Sequence, residues 1–208
     1  MITAILLLIV AYLLGSCAFG LWFGRLRKHN LHAEGSGNVG ATNSARILGL
    51  RIGVLVFILD FAKGVLAASL PFIFHVSVIP AAIYALLAVL GHIASLFDHF
   101  HGGKAVATSA GVILVLNPLL LLILAIVFVG ATLLFSMISF SSVTVAVMVI
   151  LWTIVGVFTH LGNIWTNAVL LIVGLIVLYK HRSNIGRIRR HEESLVPMGL
   201  NLSHQKKP

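Results

Sequence analysis

The polar segment Glu34–Arg46 reads EGSGNVGATNSAR and lies between two long apolar runs. Its glycines allow positive backbone φ angles and a close approach of the main chain to a ligand, and its Ser, Thr and Asn side chains add short hydrogen-bond donors. Arg46 ends the segment with a guanidinium group that can bind a phosphate or carboxylate from the other side. The segment is therefore either an anion-binding loop or a flexible connector, because the same residue types also fill ordinary turns.

The composition of the chain indicates a polytopic membrane protein. Of its 208 residues, 60% are hydrophobic and 9% are charged, which is more apolar than a soluble domain of this size needs. Several runs approach or exceed the roughly 18–20 residues that cross a bilayer as a helix. We therefore predict an all-α membrane helical bundle with about seven transmembrane helices. Residues 1–193 are predicted to form one domain, followed by a loose cytoplasmic tail over residues 194–208.

The seven predicted spans follow the apolar runs. They cover residues 2–23, 52–74, a run ending near Phe97, a short run ending at about Leu116, and residues 119–135, 143–158 and 164–179. All fourteen Lys and Arg residues except Lys63 lie in the first loop, the loop at residues 98–104 or the tail. Because positive charge favours the cytoplasmic side, we predict an outside N-terminus and a cytoplasmic C-terminus. The net charge of +9 then indicates an anionic substrate or lipid surface rather than nucleic acid.

The second span contains two charged residues, Asp60 and Lys63. Residues three apart lie on one helix face, so these side chains can form an ion pair, which lowers the cost of placing either charge in the membrane. A structural pair that holds this helix against its neighbours is favoured over a direct functional role.

A second polar segment, Gly91–Thr108, contains two glycines and a lysine just before the apolar pattern resumes. Gly102, Gly103 and Lys104 suit an anion site at a helix N-terminus, where free N–H groups and the positive end of the helix dipole face the ligand. The segment is not a Walker A loop, because the earlier glycine and the Ser or Thr after the lysine are missing.

Nearby histidines raise the question of a metal site. The candidates are His92, Asp98, His99 and His101. We predict solvated side chains at His99 and His101 and no metal, since neither cysteine ligands nor an H-E-x-x-H pattern accompany the four residues. No cofactor is predicted.

Two further polar segments complete the predicted cytoplasmic side. Residues 136–142 contain four serines and are expected to form a hydroxyl-rich turn, and residues 180–193 form a basic tail. Under an odd number of spans, all four polar segments meet at one face. A cationic, donor-rich floor there suits a small phosphorylated substrate, while grooves between helices can hold an acyl chain.

These motifs resemble those of the bacterial acyl-phosphate:glycerol-3-phosphate acyltransferases, the PlsY family. The matching residues are Gly35-Ser36-Gly37-Asn38-x-Gly40-Ala41-Thr42-Asn43-x-x-Arg46, Asp60-x-x-Lys63-Gly64, Gly91-His92, Phe97-x-x-Phe100-x-Gly102-Gly103-Lys104-x-Val106-Ala107-Thr108, and His181-x-x-Asn184-Ile185-x-Arg187 with Glu193. The resemblance implies transfer of a fatty acyl group from acyl phosphate to the 1-hydroxyl of glycerol 3-phosphate, which gives lysophosphatidic acid. It also implies a multi-pass protein of the bacterial cell (inner or plasma) membrane with its active site facing the cytoplasm.

The resemblance also assigns site residues. Phosphate groups are expected at Ser36, Arg46, Gly102, Gly103 and Lys104, while Ser142, His181 and Asn184 would order the substrate and reacting groups. Gly37, Asn38, Thr42, Asn43 and His92 are expected to contact substrate, and Glu193 is expected to steady the tail against the core. The proton acceptor is either a phosphate oxygen of a substrate or one of two histidines, His92 and His181.

The chain departs from the family pattern at several positions. Ala105 stands where a third glycine is usual, so the phosphate turn is expected to be tighter or to bind glycerol 3-phosphate less well. His191 replaces a usual glycine, and Ser136 and Met137 replace frequent basic and aromatic residues.

Two other functions compete with this interpretation. A small anion transporter or channel would use the same basic floor for selectivity, but it usually shows internal repeats, and the chain has none. An acyltransferase of the soluble-domain type that uses acyl-CoA would need an H-x4-D pair, which is also missing.

Overall fold

The computed structural model describes residues 1–160 and 162–205, and over these ranges the chain is helical with no β-strand. The all-α prediction is confirmed. The helices are α1 (Ile2–Ser16), α2 (Phe19–Leu26), α3 (Ala41–Leu48), α4 (Leu50–Ile73), α5 (Ala81–Ile93), α6 (Val106–Leu116), α7 (Pro118–Phe135), α8 (Ile138–Phe158), α9 (Ile164–Lys180) and α10 (Arg182–Arg189), with a short 3-10 turn at Leu96–Asp98. Local sequence marks several of these ends. Pro118 begins α7, and the Asn163 side chain caps α9 by accepting a 2.8 Å bond from the Trp165 N–H.

Helix length gives a smaller number of spans than the sequence predicts. In the described ranges, α4, α7 and α8 are long and apolar enough to cross a membrane, and the number rises to five if the bent pairs α1–α2 (43°) and α9–α10 (51°) each cross once. Helices α5 and α6 have 13 and 11 residues, hence lengths of about 20 and 17 Å, which are less than the roughly 30 Å hydrocarbon core. The protein is a multi-pass membrane protein; seven spans and the orientation of the termini stay predictions.

Close packing characterises the first of two compact units, which runs from Met1 to Asn117. Within it, α1 packs on α5, and α4 packs on α1, α5 and α6. A side chain at Gly15 would overlap the backbone of Ala88, and one at Gly64 would overlap the backbone of Thr108. Small residues at these positions let the helix backbones approach each other without lipid between them.

The second unit begins at Pro118 and contains α7 to α10. The serine turn predicted for residues 136–142 is wrong in its extent, because only Ser136 and Met137 separate α7 from α8. Ser139, Ser141 and Ser142 lie in the first turns of α8 and are buried, so the sixth apolar helix begins five residues before the predicted Val143. The hydroxyls of Ser141 and Ser142 bond carbonyls four residues earlier, which lets them lie within a helix at low cost.

The segment after α10 is more ordered than the predicted loose tail. Its N–H groups donate to the end of α7 and to the residue after it, from Leu200 to the Leu133 carbonyl (2.8 Å) and from Val196 to the Ser136 carbonyl (2.8 Å). The expectation of a loose tail is therefore wrong for residues 194–205, and the rest of that prediction, residues 206–208, lies outside the described residues. The assignment of residues 1–193 to a single domain stays a prediction.

Candidate active site

Asn43 organises the glycine-rich loop. Its Oδ1 accepts the Ser36 N–H (2.9 Å), and its Nδ2 donates to the carbonyls of Leu31 (3.3 Å) and Glu34 (3.0 Å). Since the side chain is only 1% exposed and both ends of its amide bond the loop backbone, Asn43 shapes the loop. A direct substrate contact from Asn43 stays a prediction.

The loop then leads into α3, and the helix determines which of the side chains predicted to bind substrate are exposed. Thr42 and Arg46 are exposed and lie one turn apart on α3, while Asn43 and Ser44 are buried on its other side. Ser36 is exposed in the loop. The sequence predicted an anion-binding loop or a flexible connector over residues 34–46, and it missed the short helix α3. No side chain caps the N-terminus of α3, so the positive end of the helix lies beside these donors.

Glu34 braces the start of this loop. Its carboxylate accepts bonds from the ring Nδ1 of His29 (2.9 Å) and the backbone N–H of Asn30 (2.7 Å). The bond from His29, followed by that from Asn30, lowers the pKa of Glu34. Because the folded pKa is depressed, this brace is present above the usual carboxyl pKa and is lost as pH falls through the lowered value.

The Gly-Gly-Lys turn passes directly over His92. The Gly103 N–H donates to the His92 carbonyl (3.2 Å), and a side chain at Gly103 would overlap the His92 ring. A side chain at Gly102 would overlap the same carbonyl. Both glycines are therefore required by packing. Their predicted contact with phosphate stays a prediction, and the Gly103 N–H already donates to the His92 carbonyl in α5.

Ala105 closes this turn in a left-handed conformation, with φ 59° and ψ 15°, and is buried. A glycine adopts this conformation without strain, whereas an L-residue pays about 1–2 kcal/mol. This explains physically why a glycine suits the position. The expected effects of Ala105 on the turn and on glycerol 3-phosphate affinity stay predictions.

We expect Ala105→Gly to change the free energy of unfolding by less than about 1 kcal/mol, because relief of strain offsets the lost methyl group and the freer unfolded chain. Ala105→Val should destabilise the protein by about 2–3 kcal/mol, since a branched side chain at this φ is strained and the site is packed. Thermal unfolding of the three proteins in one detergent measures both. Equal melting temperatures for the Gly and Val variants would contradict this account.

The residues just before the two loops are joined by a hydrogen-bonded contact that the sequence did not predict. The His32 Nε2 lies 2.9 and 3.1 Å from the carboxylate oxygens of Asp98, and the rings of His32 and His101 lie edge to face at 6.3 Å. Asp98 is buried, whereas His99 and His101 are exposed as expected. This contact joins the residues just before the glycine-rich loop to the 3-10 turn that precedes Gly102. His32 lies 66 residues from Asp98, and no spacing signal could have indicated it.

The predicted ion pair of Asp60 and Lys63 is confirmed, at 2.7 Å and with both side chains buried. The Lys63 ammonium also donates to the Cys17 carbonyl (2.6 Å), which lies at the break between α1 and α2. On its other side, Asp60 lies 3.7 Å from the His92 Nδ1, and that nitrogen lies 3.1 Å from the Thr108 hydroxyl.

A small crevice connects these features. The crevice lies between the break that separates α1 from α2, the Asp60–Lys63 ion pair, His92 and the Gly-Gly-Lys turn. Its lining residues are Ser16, Cys17, Ala18, Phe19, Val39, Asp60, Lys63, His92, Ser95, Gly102 and Gly103. The pair therefore lines this crevice and bonds α4 to the break between α1 and α2. Its structural role stays a prediction.

In the second unit, the predicted residues surround the bend between α9 and α10. His181 is buried, and its Nδ1 bonds the Val177 carbonyl (2.8 Å). Because a carbonyl can only accept, this nitrogen carries the proton in the neutral ring, and the Nε2 is then the basic nitrogen. The Asn184 Nδ2 donates to the Glu193 Oε1 (3.1 Å), so Glu193 does hold the segment after α10 to the helix.

Among the predicted substrate-binding residues, Ser142 has surroundings that give the least support for a contact with substrate. It is buried in α8, and its hydroxyl donates to the Ile138 carbonyl (2.8 Å). Its contact with substrate stays a prediction, as does the meeting of residues from the two units. Across residues 1–160 and 162–205, no three His, Cys, Asp or Glu side chains are grouped to hold a metal ion.

Comparison with known proteins shows similarity over almost the whole chain. The profile of a family described as glycerol-3-phosphate acyltransferase matches residues 5–191. A glycerol-3-phosphate acyltransferase of Lactococcus lactis subsp. cremoris (strain MG1363) is 51% identical, with 99% of each chain covered. One of Streptococcus pneumoniae (strain CGSP14) is 48% identical, with 97% of each covered.

Two crystal structures of PlsY (YgiH), an integral membrane glycerol 3-phosphate acyltransferase, have a similar fold. The glycerol 3-phosphate form has a TM-score of 0.84 at 36% identity and covers 93% of this chain and 95% of its own. The lysophosphatidic acid form has a TM-score of 0.81 at 35% identity, with 96% and 97% covered.

Proposed function

The chain belongs to the glycerol-3-phosphate acyltransferase family, and from this premise we propose that it transfers a fatty acyl group from acyl phosphate to the 1-hydroxyl of glycerol 3-phosphate. The products are lysophosphatidic acid and inorganic phosphate. The observation that supports the proposal is the contact of His32 with Asp98, which joins the residues just before the glycine-rich loop to the 3-10 turn that precedes Gly102. Glycerol 3-phosphate and lysophosphatidic acid name the forms of the two similar crystal structures.

The reaction needs little more than positioning and charge. An acyl phosphate is already activated, so the protein must hold two anions side by side, relieve their repulsion and stabilise the oxyanion that forms on the acyl carbonyl. In the proposed arrangement, Arg46 and Lys104 supply the positive charge, and Ser36, Asn38 and Thr42 supply short donors. His181 and Asn184 order the reacting groups.

The proposed acyl transfer is balanced without a proton acceptor from the protein. The 1-hydroxyl oxygen bonds the acyl carbon, the bond from that carbon to the phosphate oxygen breaks, and the hydroxyl proton goes to a phosphate oxygen. We favour this course because the substrates supply their own proton acceptor. In the alternative with His181 as base, the Nδ1 bonds the Val177 carbonyl and the Nε2 would accept the proton.

The histidine alternative has a direct test. Purified His92→Ala and His181→Ala variants are expected to retain measurable turnover at saturating substrate. Loss of nearly all turnover in both variants, with glycerol 3-phosphate still bound, would show that a histidine accepts the proton.

Donor choice is the test of the proposed function. Purified protein in detergent should form lysophosphatidic acid from glycerol 3-phosphate and acyl phosphate, and should form little from the matched acyl-CoA. Heat-treated protein controls for spontaneous acyl transfer. Equal rates with acyl-CoA would overturn the acyl-phosphate proposal and leave the family activity in place.

We also place the protein in the bacterial inner membrane with the site facing the cytoplasm. In a Cys17→Ser background, a single cysteine at His29 in the first loop should resist an impermeant maleimide added to intact cells. One at His75, between α4 and α5, should react. The opposite pattern would reverse the proposed orientation.

A further inference from the structure

The segment that follows α10 returns along the end of α7. The last carbonyls of a helix have no partner inside it. Two of those in α7, Leu133 and Leu134, accept the N–H groups of Leu200 (2.8 Å) and Leu202 (3.0 Å), and the Ser136 hydroxyl accepts that of Asn201 (3.1 Å). Residues 194–205, here called the strap, thereby cap the helix.

A glycine makes this close approach possible. Gly199 has φ +94°, and a side chain there would press on the Leu133 carbonyl and the Ser136 hydroxyl. An L-residue would meet both backbone strain and a steric clash at this point. The strap is therefore seated on α7 by a specific backbone shape.

The far end of the strap is fixed by Gln205. Its side chain is buried, with Oε1 accepting the Glu193 N–H (3.1 Å) and Nε2 donating to the Ile188 carbonyl (3.2 Å). Its backbone N–H donates to the Asn201 Oδ1 (3.1 Å), and its carbonyl accepts from the Asn201 Nδ2 (3.1 Å). Burial of an amide costs free energy unless the amide is hydrogen-bonded. The bonds of Gln205 therefore indicate a specific contact that holds this end of the strap.

Glu193 connects Gln205 to α10. Its Oε1 accepts from Asn184 (3.1 Å), and its Oε2 lies 2.9 Å from the Arg187 Nε. Both carboxylate oxygens are thus engaged with side chains of α10, while the backbone of the same residue is held by Gln205. A continuous set of bonds runs from the end of α7 through the strap to Asn184.

We propose that the strap is part of the active-site framework, and that Gln205 is a positioning residue that fixes Glu193 and thereby Asn184. The catalytic part of this inference rests on the proposed function. The physical reason is that Asn184 must be held in one orientation to order reacting groups, and small displacements are costly in rate.

The test compares Gln205→Met with His204→Ala. Methionine keeps the length and fills the site but can make neither amide bond, whereas the His204 side chain is exposed one residue away. Loss of one such bond is worth roughly 0.5–1.5 kcal/mol, so kcat should fall by up to about tenfold in the methionine variant at a temperature well below its unfolding midpoint. The His204 control should keep wild-type kcat.

A second readout does not depend on activity. Hydrogen exchange of residues 182–193 should become faster in Gln205→Met, and Gly199→Ala should produce the same change by releasing the other end of the strap. In a Glu193→Ala background, Gln205→Met should add no further loss of kcat.

The outcomes separate the two proposals. Faster exchange with lower kcat supports the positioning role. Faster exchange with unchanged kcat in an enzyme that uses acyl phosphate overturns that role, and unchanged exchange in both variants overturns the strap itself. Wild-type protein that fails to transfer from acyl phosphate contradicts the proposed function, while the exchange result still decides whether the strap holds α10.

Discussion

Arg46→Ala and Lys104→Ala are each expected to lower acyltransferase kcat/KM by about 100-fold or more, with the protein still folded in detergent. Each removes a cation from a site where two phosphate-bearing molecules are proposed to meet, and loss of a single preorganised donor typically costs about 100- to 1,000-fold. The effect on folding should be small for Arg46, because its side chain is exposed on α3.

The chain offers a matched control for this experiment. Arg51 is also exposed and lies five residues further on, in the first turn of α4. Arg51→Ala should keep near wild-type activity. Arg46→Lys should be intermediate, since an ammonium keeps the charge but cannot bind an anion through two parallel hydrogen bonds. Steady-state rates and a melting curve are needed for each variant. Wild-type rates in both alanine variants would show that these cations do not form the anion site.

Lys63→Met is expected to destabilise the protein by about 3–5 kcal/mol, because it leaves the Asp60 carboxylate buried without its cation. The same change removes the donor to the Cys17 carbonyl at the break between α1 and α2, and a cation 5.6 Å from the centre of the Phe19 ring. Unfolding in a single mixed-micelle system gives the free-energy difference.

The double variant Asp60→Asn/Lys63→Met separates the buried charge from the lost contacts. It should recover much of the loss, since replacing both members of a buried pair is often close to neutral. Leu66→Met, on the exposed side of the same helix, should change stability by less than about 0.5 kcal/mol. A double variant as unstable as the single one would mean that the Cys17 contact, not the charge, dominates.

Prediction from sequence succeeded where the signal was local. The apolar runs became helices, and the i, i+3 spacing of Asp60 and Lys63 placed the pair correctly. The number of spans could not be read from apolar runs alone. Helices α5 and α6 are apolar, but they are too short to cross the hydrocarbon core unaided. The serine segment was misjudged for a related reason, since hydroxyls that bond their own helix carbonyls fit within α8 as well as in a turn.

The sequence predicted which residues belong to the candidate site, but it did not predict the bonds that hold them in place. Motif similarity pointed to Asn43, Gly103 and Glu193, yet their bonds in the structure go to the chain itself, which they hold in shape. His32 and Gln205 carried no sequence signal, because a histidine in a polar loop and a glutamine near the end of a chain are ordinary there. Both gain their roles from a partner brought close by folding.

The sequence by itself determined that this is an all-helical, multi-pass membrane protein of an acyltransferase family, since hydropathy, charge placement and motif order are properties of consecutive residues. Only the tertiary structure decided which distant groups support the site: His32 with Asp98, 66 residues apart, and Lys63 with the Cys17 carbonyl, 46 apart. The physical reason is that such bonds form between single groups with no periodic spacing, and their partners are known only once the helices have packed.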